Sequence, residues 1–164
     1  MSVDTSSIVH RELAYTSSSN PLQRLDLYLP PSSTSTEVKY YPPVVIIIHG
    51  GAWRSGDKNE FTNLGQNLSL LGNCAVAIVN YRLTTKITPE IKNPLHVQDV
   101  AAAISWVSLH AKEYGYRDDR IYLVGNSAGA FISGQLVLNP EYLNFHDPNL
   151  LEKNLWCNWC RWNL

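Results

Sequence analysis

The sequence predicts an α/β fold, a mostly parallel sheet with helices on both faces. Three observations lead there. Val44-Val45-Ile46-Ile47-Ile48 is an unbroken β-branched run, the pattern of a strand buried on both of its faces. From Pro42 onward such runs alternate with segments of helical period, and strand–helix–strand units close through right-handed crossovers into a parallel sheet. The chain has 164 residues, 45% of them apolar, which suits a single domain with an ordinary core.

Residues 1–43 precede the alternating part. Ile8–Tyr15 and Leu25–Leu29 carry strand-forming residues, and the turn chemistry of Ser17–Pro21 between them predicts a hairpin. Pro30-Pro31 and the Ser/Thr run after it read as a polar surface loop. After the strand Val44–Ile48, Phe61, Leu64, Leu68 and Leu71 recur at helical spacing, with Gly72 closing that helix. Ala75–Val79 is the next buried strand. Asn93-Pro94 reads as an N-cap followed by proline at the first helical position. Val97, Val100, Ala101, Ile104 and Val107 then form one apolar stripe on a helix that Gly115 ends. Arg120–Val124 is a third buried strand and Ala128–Leu138 a third helix. There is no internal repeat.

Composition excludes several classes of function. With 13 Lys+Arg against 14 Asp+Glu and a net charge of −1, the chain lacks the basic patch that a nucleic-acid binder needs. The longest apolar runs, Val44–Ile48 and Cys74–Val79, fall far short of the ~20 residues that cross a bilayer, so no membrane partner is expected. The start MSVDTSSIVHREL has no basic stretch followed by an apolar one, which predicts a cytoplasmic protein. Three cysteines do not make a disulfide scaffold, and no metal or organic cofactor is implied.

The candidate chemistry lies where strands meet loops. Gly125-Asn126-Ser127-Ala128-Gly129 fits the pattern G-x-S-x-G and stands between a strand and a helix, the place of a nucleophile elbow. A serine there projects its Oγ above the sheet edge. The flanking Gly125 and Gly129 are needed because side chains would collide with the crossing strand and helix. The N–H of Ala128, at the helix N-terminus, points to where charge develops when a carbonyl is attacked. As a capping serine in a glycine-rich turn, the same five residues would have no chemistry at all. His49-Gly50-Gly51-Ala52-Trp53 favours the catalytic reading, because it follows the first buried strand and its two glycines can present backbone amides to a ligand. Gly51 and Ser127 are 76 residues apart, room for two strand–helix–strand units of ~30 or more residues. Both motifs are therefore expected at the carboxyl edge of one sheet, where α/β ligand sites lie.

At HGGAW (His49–Trp53), Asn80-Tyr81-Arg82-Leu83 and VGNSAGA (Val124–Ala130), the chain resembles the α/β-hydrolases, in their esterase, lipase and arylformamidase branch. A tryptophan closing the His-Gly-Gly-x-Trp loop is similar to the kynurenine formamidase group, as is Ile87–Asp99. The resemblance implies the α/β-hydrolase fold and a serine hydrolase acting on a small carboxylic ester or aryl formamide. Ser127 would be the nucleophile, and the Gly50, Gly51 and Ala128 amides the oxyanion hole. His49 would brace the loop, with Trp53 and Tyr81 lining or supporting the acyl site.

This fold takes its triad acid and base, in that order, from beyond the elbow. After Ser127 the chain has one histidine, His146, and the acids Glu141, Asp147 and Glu152. The helix Ala128–Leu138 carries the chain ~16 Å from the elbow, so His146 is expected near the opposite edge as a surface-loop residue. His10, His96 and His110 read as surface or core residues, and no complete triad is present. Asn154–Leu164 differs in composition, holding three of the five Trp and two of the three Cys. Cys157-x-x-Cys160 lacks the further ligands of a zinc site and the context of a redox motif. Displacing the frame by one base turns Trp156–Trp162 into Gly-(Val/Ala)-(Ile/Thr)-Gly-(Val/Ala)-(Asp/Gly/Val/Ala)-Gly, a buried-strand sequence. The expectation is therefore residues 1–153 as the N-terminal part of one hydrolase domain, with its C-terminal part missing, and 154–164 as an out-of-frame tail. On that expectation the strand Arg120–Val124 is an exposed sheet edge and activity is impaired. The competing reading is a non-catalytic remnant or binding module that keeps half of the fold.

Overall fold

The computed structural model describes residues 7–31, 41–139, 141–144, 146, 148 and 150, and the backbone of Asn154–Cys157. One sheet holds six strands: β1 Ile8–Ala14, β2 Arg24–Leu29, β3 Val44–Ile48, β4 Ala75–Val79, β5 Arg120–Gly125 and β6 Asn154–Cys157. Their spatial order is β1-β2-β4-β3-β5-β6. β1 and β2 form the expected antiparallel hairpin, which joins β4 antiparallel; β4, β3, β5 and β6 run parallel.

The period of β3 explains its place. Ile46 and Ile48 enter the core on one face, with Val97, Val100, Ile104, Ile132 and Leu136 of helices α2 (Leu95–Leu109) and α4 (Ala128–Leu138). Ile47 enters a smaller core on the other face with Tyr28, Val76 and Ile78, under α1 (Thr62–Gly72) and its Leu68. Each fully buried Ile or Leu side chain contributes about 1.5–3 kcal/mol, so a continuous run placed centrally anchors both layers. Two short helices, α3 (Ala111–Tyr114) and α5 (Glu141–Asn144), and a single 3-10 turn, Lys58–Phe61, complete the described elements. Among the described residues no helix is long and apolar enough to cross a membrane.

Strands β1–β5 and helix α4 lie where the periodicity predicts, while several details differ. In α1 the buried residues are Gly65 and Ser69, and Leu64 and Leu71 are exposed. The helix turns Gly65 inward because it lies so close to the sheet that a Cβ there would stand 2.8 Å from Ile78 Cδ1 and 3.1 Å from the Tyr28 ring. α2 begins at Leu95, with Pro94 rather than Asn93 as its N-cap and no side-chain cap. The stripe on α2 is buried as expected, but the helix breaks at His110, whose ring Nδ1 and backbone N–H both engage Trp106 O. Gly115, at φ 79, closes α3 instead.

The largest correction concerns the sheet edge. β5 is not exposed, because Asn154–Cys157 pairs with it in parallel, with Tyr122 opposite Trp156. Any extended backbone can satisfy the N–H and C=O groups of a neighbouring strand, whatever its side chains. The side chains of Trp156 and Cys157, the rest of the Trp- and Cys-rich tail including Cys160, Trp159 and Trp162, and the Ser/Thr loop at residues 32–40 lie outside the described residues. Among the described residues, no group of three or more His, Cys, Asp or Glu could hold a metal ion.

Candidate active site

Three loops meet at the carboxyl edge, after β3, β4 and β5. Ser127 stands two residues past the end of β5 and takes φ 50, ψ −111, a conformation that L-residues rarely adopt. The turn is pinned from both sides. Asn126 N–H donates to Ile48 O (3.1 Å), Gly129 N–H to Asn126 O (2.8 Å) and Phe131 N–H to Ser127 O (3.1 Å). Ser127 is exposed, and its Oγ makes no hydrogen bond to any described residue.

The glycines flanking it are fixed by close approach. A Cβ on Gly129 would stand 2.2 Å from Ile48 O, and one on Gly125 would stand 2.4 Å from Ala130 N. A Cβ on Gly50 would be 2.8 Å from Asn126 O and 3.2 Å from Ser127 Cβ. The glycine loop and the elbow therefore touch, although 76 residues of chain separate Gly51 from Ser127. Ala128 is the first residue of α4, where helical N–H groups lack intrahelical acceptors.

The glycine loop is itself strained and held. Gly51, Ala52 and Trp53 have φ 100, 51 and 60. Arg54 and Ser55 N–H groups both return to Gly51 O (3.0 and 3.1 Å), and Thr84 N–H donates to Trp53 O (2.8 Å). His49 is fully buried; its Nδ1–H donates to Gly50 O (2.8 Å), and its ring stacks on Tyr81 at 4.3 Å. The Tyr81 hydroxyl donates to His49 O (3.0 Å). Burial holds His49 below the ordinary histidine range, the backbone bond to Gly50 opposing only part of that shift. A neutral ring locked in this way supports the loop backbone through Gly50 O and its stack on Tyr81. Tyr81 is in turn positioned by its neighbour Arg82, which grips Asp99 with Nε (2.8 Å) and Nη2 (2.6 Å), while Gln23 Nε2 bonds the same carboxylate (2.8 Å).

Beside the elbow opens a cleft of about 420 Å³. Ala52 and Trp53 wall one side, Phe131 and Gln135 of α4 another, with His96, Thr84, Arg54, Lys92 and Asn93 closing it. Trp53 meets Phe131 edge to face at 5.5 Å. His96 bonds Thr84 Oγ1 (3.1 Å), and since that hydroxyl donates to Ile91 O, the proton is on His96 Nε2. Burial lowers the His96 pKa, so it is a neutral member of the wall. Sequence reasoning missed Phe131 and Gln135; their spacing of four and eight residues from Ser127 along one helix was the available signal.

His146 differs from expectation. It is half-buried rather than on a surface loop, and it bonds backbone at Gln98 in the first turn of α2, on the side of the fold where that helix leaves the carboxyl edge. No described histidine bonds Ser127 Oγ. Of the later acids, Glu141 is exposed on α5, and Asp147 and Glu152 lie outside the described residues.

The comparisons with known proteins agree with this architecture. Residues 25–149 match the family model described as BD-FAE. A probable isoprenylcysteine alpha-carbonyl methylesterase of Arabidopsis thaliana is 42% identical over 125 residues, covering 76% of this chain and 24% of that protein. A kynurenine formamidase of Meyerozyma guilliermondii is 31% identical over 93 residues, covering 57% of this chain and 32% of its own length. Esterase B of Lactobacillus rhamnosis superposes with a TM-score of 0.72 at 27% identity, covering 97% of this chain and 48% of that one. A tributyrin phosphonate-inhibited structure of the same esterase matches at 29% identity, with a TM-score of 0.70, over 86% of this chain and 45% of that one. The chain thus spans about a quarter to a third of these curated relatives and about half of the solved esterase. With a family model matched over most of its length and esterases on every side of it, the chain belongs to the BD-FAE family, in the esterase and formamidase branch of the α/β-hydrolases.

Proposed function

We propose that Ser127 is the nucleophile of a serine hydrolase that acts on a small carboxylic ester or aryl formamide. One observation carries the reading. A non-glycine residue is held at φ 50 with its hydroxyl exposed, in contact with a glycine loop that is itself pinned by buried Tyr81 and His49. Strain of ~1–3 kcal/mol that the surroundings over-determine is the mark of a functional turn rather than of a cap. In this reading Ser127 Oγ attacks the carbonyl carbon and gives its proton to a general base. The developing oxyanion is met by the amides of Gly50, Gly51 and Ala128. The C–O or C–N bond to the leaving group breaks, and water then hydrolyses the acyl-serine. The phosphonate-inhibited esterase neighbour supports a nucleophile of this kind. Trp53, over the loop, narrows the acyl side and favours formyl or other short acyl groups.

The base and acid are not supplied at Ser127 by any described side chain, so we propose that these 164 residues alone hydrolyse slowly. We propose further that 1–153 form the N-terminal part of a single domain whose frame is displaced after Lys153. An Oγ without a partner among the described residues is also what a non-catalytic module would show, which keeps that second reading in view. A fluorophosphonate probe decides between them, applied to a chain whose frame is restored after Lys153. Labelling abolished by Ser127→Ala is the expected outcome, and labelling that survives it refutes the assignment. Substrate choice is read from p-nitrophenyl esters of rising chain length beside N-formylkynurenine. Faster turnover of C8 than of C2 esters, without formamidase activity, rejects the short-acyl reading.

A further inference from the structure

Asn80 follows β4 directly, is buried, and takes no part in the proposed chemistry. Its backbone belongs to the sheet: the N–H donates to Arg24 O (3.0 Å), and the C=O accepts the Tyr15 hydroxyl (2.8 Å). Any residue could make those two bonds. Its side-chain amide does something else. Nδ2 donates to Asp57 Oδ2 (2.9 Å), and Oδ1 accepts the Lys58 N–H (2.6 Å). The amide can lie only this way round, since a carboxylate accepts and a backbone N–H donates. Asp57 and Lys58 end a short strap, residues 55–58, that returns against the glycine loop. Ser55 N–H bonds Gly51 O (3.1 Å). Gly56, at φ 104, lies so close that a Cβ there would stand 2.4 Å from His49 Nδ1 and 2.6 Å from Gly50 O.

The direction of two backbone amides follows from these contacts. In a trans peptide the C=O and the N–H point in opposite directions. Gly50 O is held toward the buried His49 ring by Nδ1–H (2.8 Å), so the Gly51 N–H is turned away from that ring. His49 O is held by the Tyr81 hydroxyl (3.0 Å), so the Gly50 N–H is turned away from Tyr81. The strap packs on both the ring and the Gly50 carbonyl. If it lifted, ring and carbonyl would have room to turn, and the two amides would turn with them. We propose that Asn80 is a positioning residue of the oxyanion hole: by clamping Asp57 and Lys58 it keeps Gly56 against His49 and Gly50 O, and so fixes where the Gly50 and Gly51 amides point. Asn80 touches no substrate. Its effect on the reaction rests on the hydrolase reading of Ser127, whereas its hold on the loop does not.

The clamp can be tested by exchanging its two halves. N80D sets a second acceptor against Asp57 and breaks the clamp. In the double variant N80D/D57N the amide and the carboxylate trade places: position 57 donates, and position 80 accepts from it and from the Lys58 N–H. In the frame-restored chain, kcat and KM for p-nitrophenyl acetate are measured for the parent, N80D, D57A and the double variant. N80D is expected to lower kcat about thirty- to a hundredfold while KM changes less than about threefold, because the amides meet charge that develops in the transition state. D57A cuts the clamp from its half-buried side with the same split, and it decides the matter where thermal unfolding shows that N80D does not fold. The double variant is expected to recover at least about tenfold in kcat over the single variants. A loss confined to KM, an unchanged kcat, or a double variant no faster than the single ones overturns the proposal. Amide spectra of the ¹⁵N-labelled 164-residue chain read the loop without any chemistry. The Gly50 and Gly51 resonances are expected to shift or broaden in N80D and D57A and to return in the double variant. Resonances that stay in place overturn the proposal even where kcat falls. A frame-restored parent that is inert at Ser127, with resonances that respond as described, defeats the hydrolase reading and leaves the clamp standing.

Discussion

Asp99 and Ser127 both stand near the carboxyl edge of the sheet, and they are treated in opposite ways. The Asp99 carboxylate is buried and saturated, receiving Arg82 through its side chain and backbone and Gln23 through its amide. Ser127 is exposed and strained, and its Oγ is unbonded among the described residues. The hairpin repeats the first style, with Lys58 buried between Asp26 and Glu12 and Arg11 on the far side of Asp26. Burial disfavours the Lys58 charge, but its two carboxylate partners more than offset that. Charge that is buried and fully paired organises a fold, whereas a polar group held in strain and left open is available for chemistry. The two centres should therefore respond to truncation with opposite signs.

The largest effect is expected at the saturated centre. Asp99→Ala leaves Arg82 and Gln23 without their acceptor in a buried setting and should cost about 3–5 kcal/mol, lowering the unfolding midpoint by roughly 6–20 °C. Circular dichroism melting checks it; a loss below 1 kcal/mol would show that the cluster does not organise this edge. Gly50→Ala is next. Its Cβ would meet backbone at Asn126, and the loop can yield only by moving off the elbow. A cost of about 1–3 kcal/mol is expected, together with a fall of a hundredfold or more in the rate of Ser127 labelling in the frame-restored chain. Ser127→Gly should reverse the sign. Glycine accepts φ 50 without penalty, so stability should rise by up to about 1 kcal/mol while labelling disappears. Destabilisation instead would mean that the serine is a structural cap. Tyr81→Phe removes the hydroxyl bond to His49 O and should cost about 1 kcal/mol, with a several-fold slower labelling rate. The smallest effect is acidic. Burial holds His49, His96 and His146 below the usual histidine range. Below the unfolded value near pH 6.5 the unfolded chain binds more protons than the native one. Stability is therefore full above that pH and declines as pH falls from there toward the lowered native values. Equilibrium urea unfolding between pH 8 and 5 measures the decline, and a flat profile would contradict it.

What the sequence makes legible follows from how local each cause is. The runs Val44–Ile48 and Ala75–Val79 place themselves, because only a doubly buried strand tolerates unbroken aliphatic residues. Ser127 and Gly50 are legible as motifs, and the need for glycine at 125 and 129 is visible from the crossing they permit. Contacts that depend on approach distance are not legible. Leu64 and Leu71 have the right period for a core stripe, yet the helix turns Gly65 inward because Tyr28 comes so close. The cleft was equally hidden, since Arg54, Lys92 and Phe131 are far apart in the chain and meet only once three loops converge. The pairing of Asn154–Cys157 with β5 was missed because backbone hydrogen bonding does not depend on the side chains that made the tail look foreign.

The central claim is that the strained, open serine is the reacting group and that its chemistry needs more than the groups around it here. Intact-mass spectrometry after fluorophosphonate treatment tests it most directly, with the 164-residue chain, the frame-restored chain and Ser127→Ala versions of each measured side by side. The account predicts one adduct, located at Ser127, forming at least a hundredfold faster in the frame-restored chain and absent from both alanine variants. An adduct that persists in Ser127→Ala, or equal rates in the two parent chains, would contradict it.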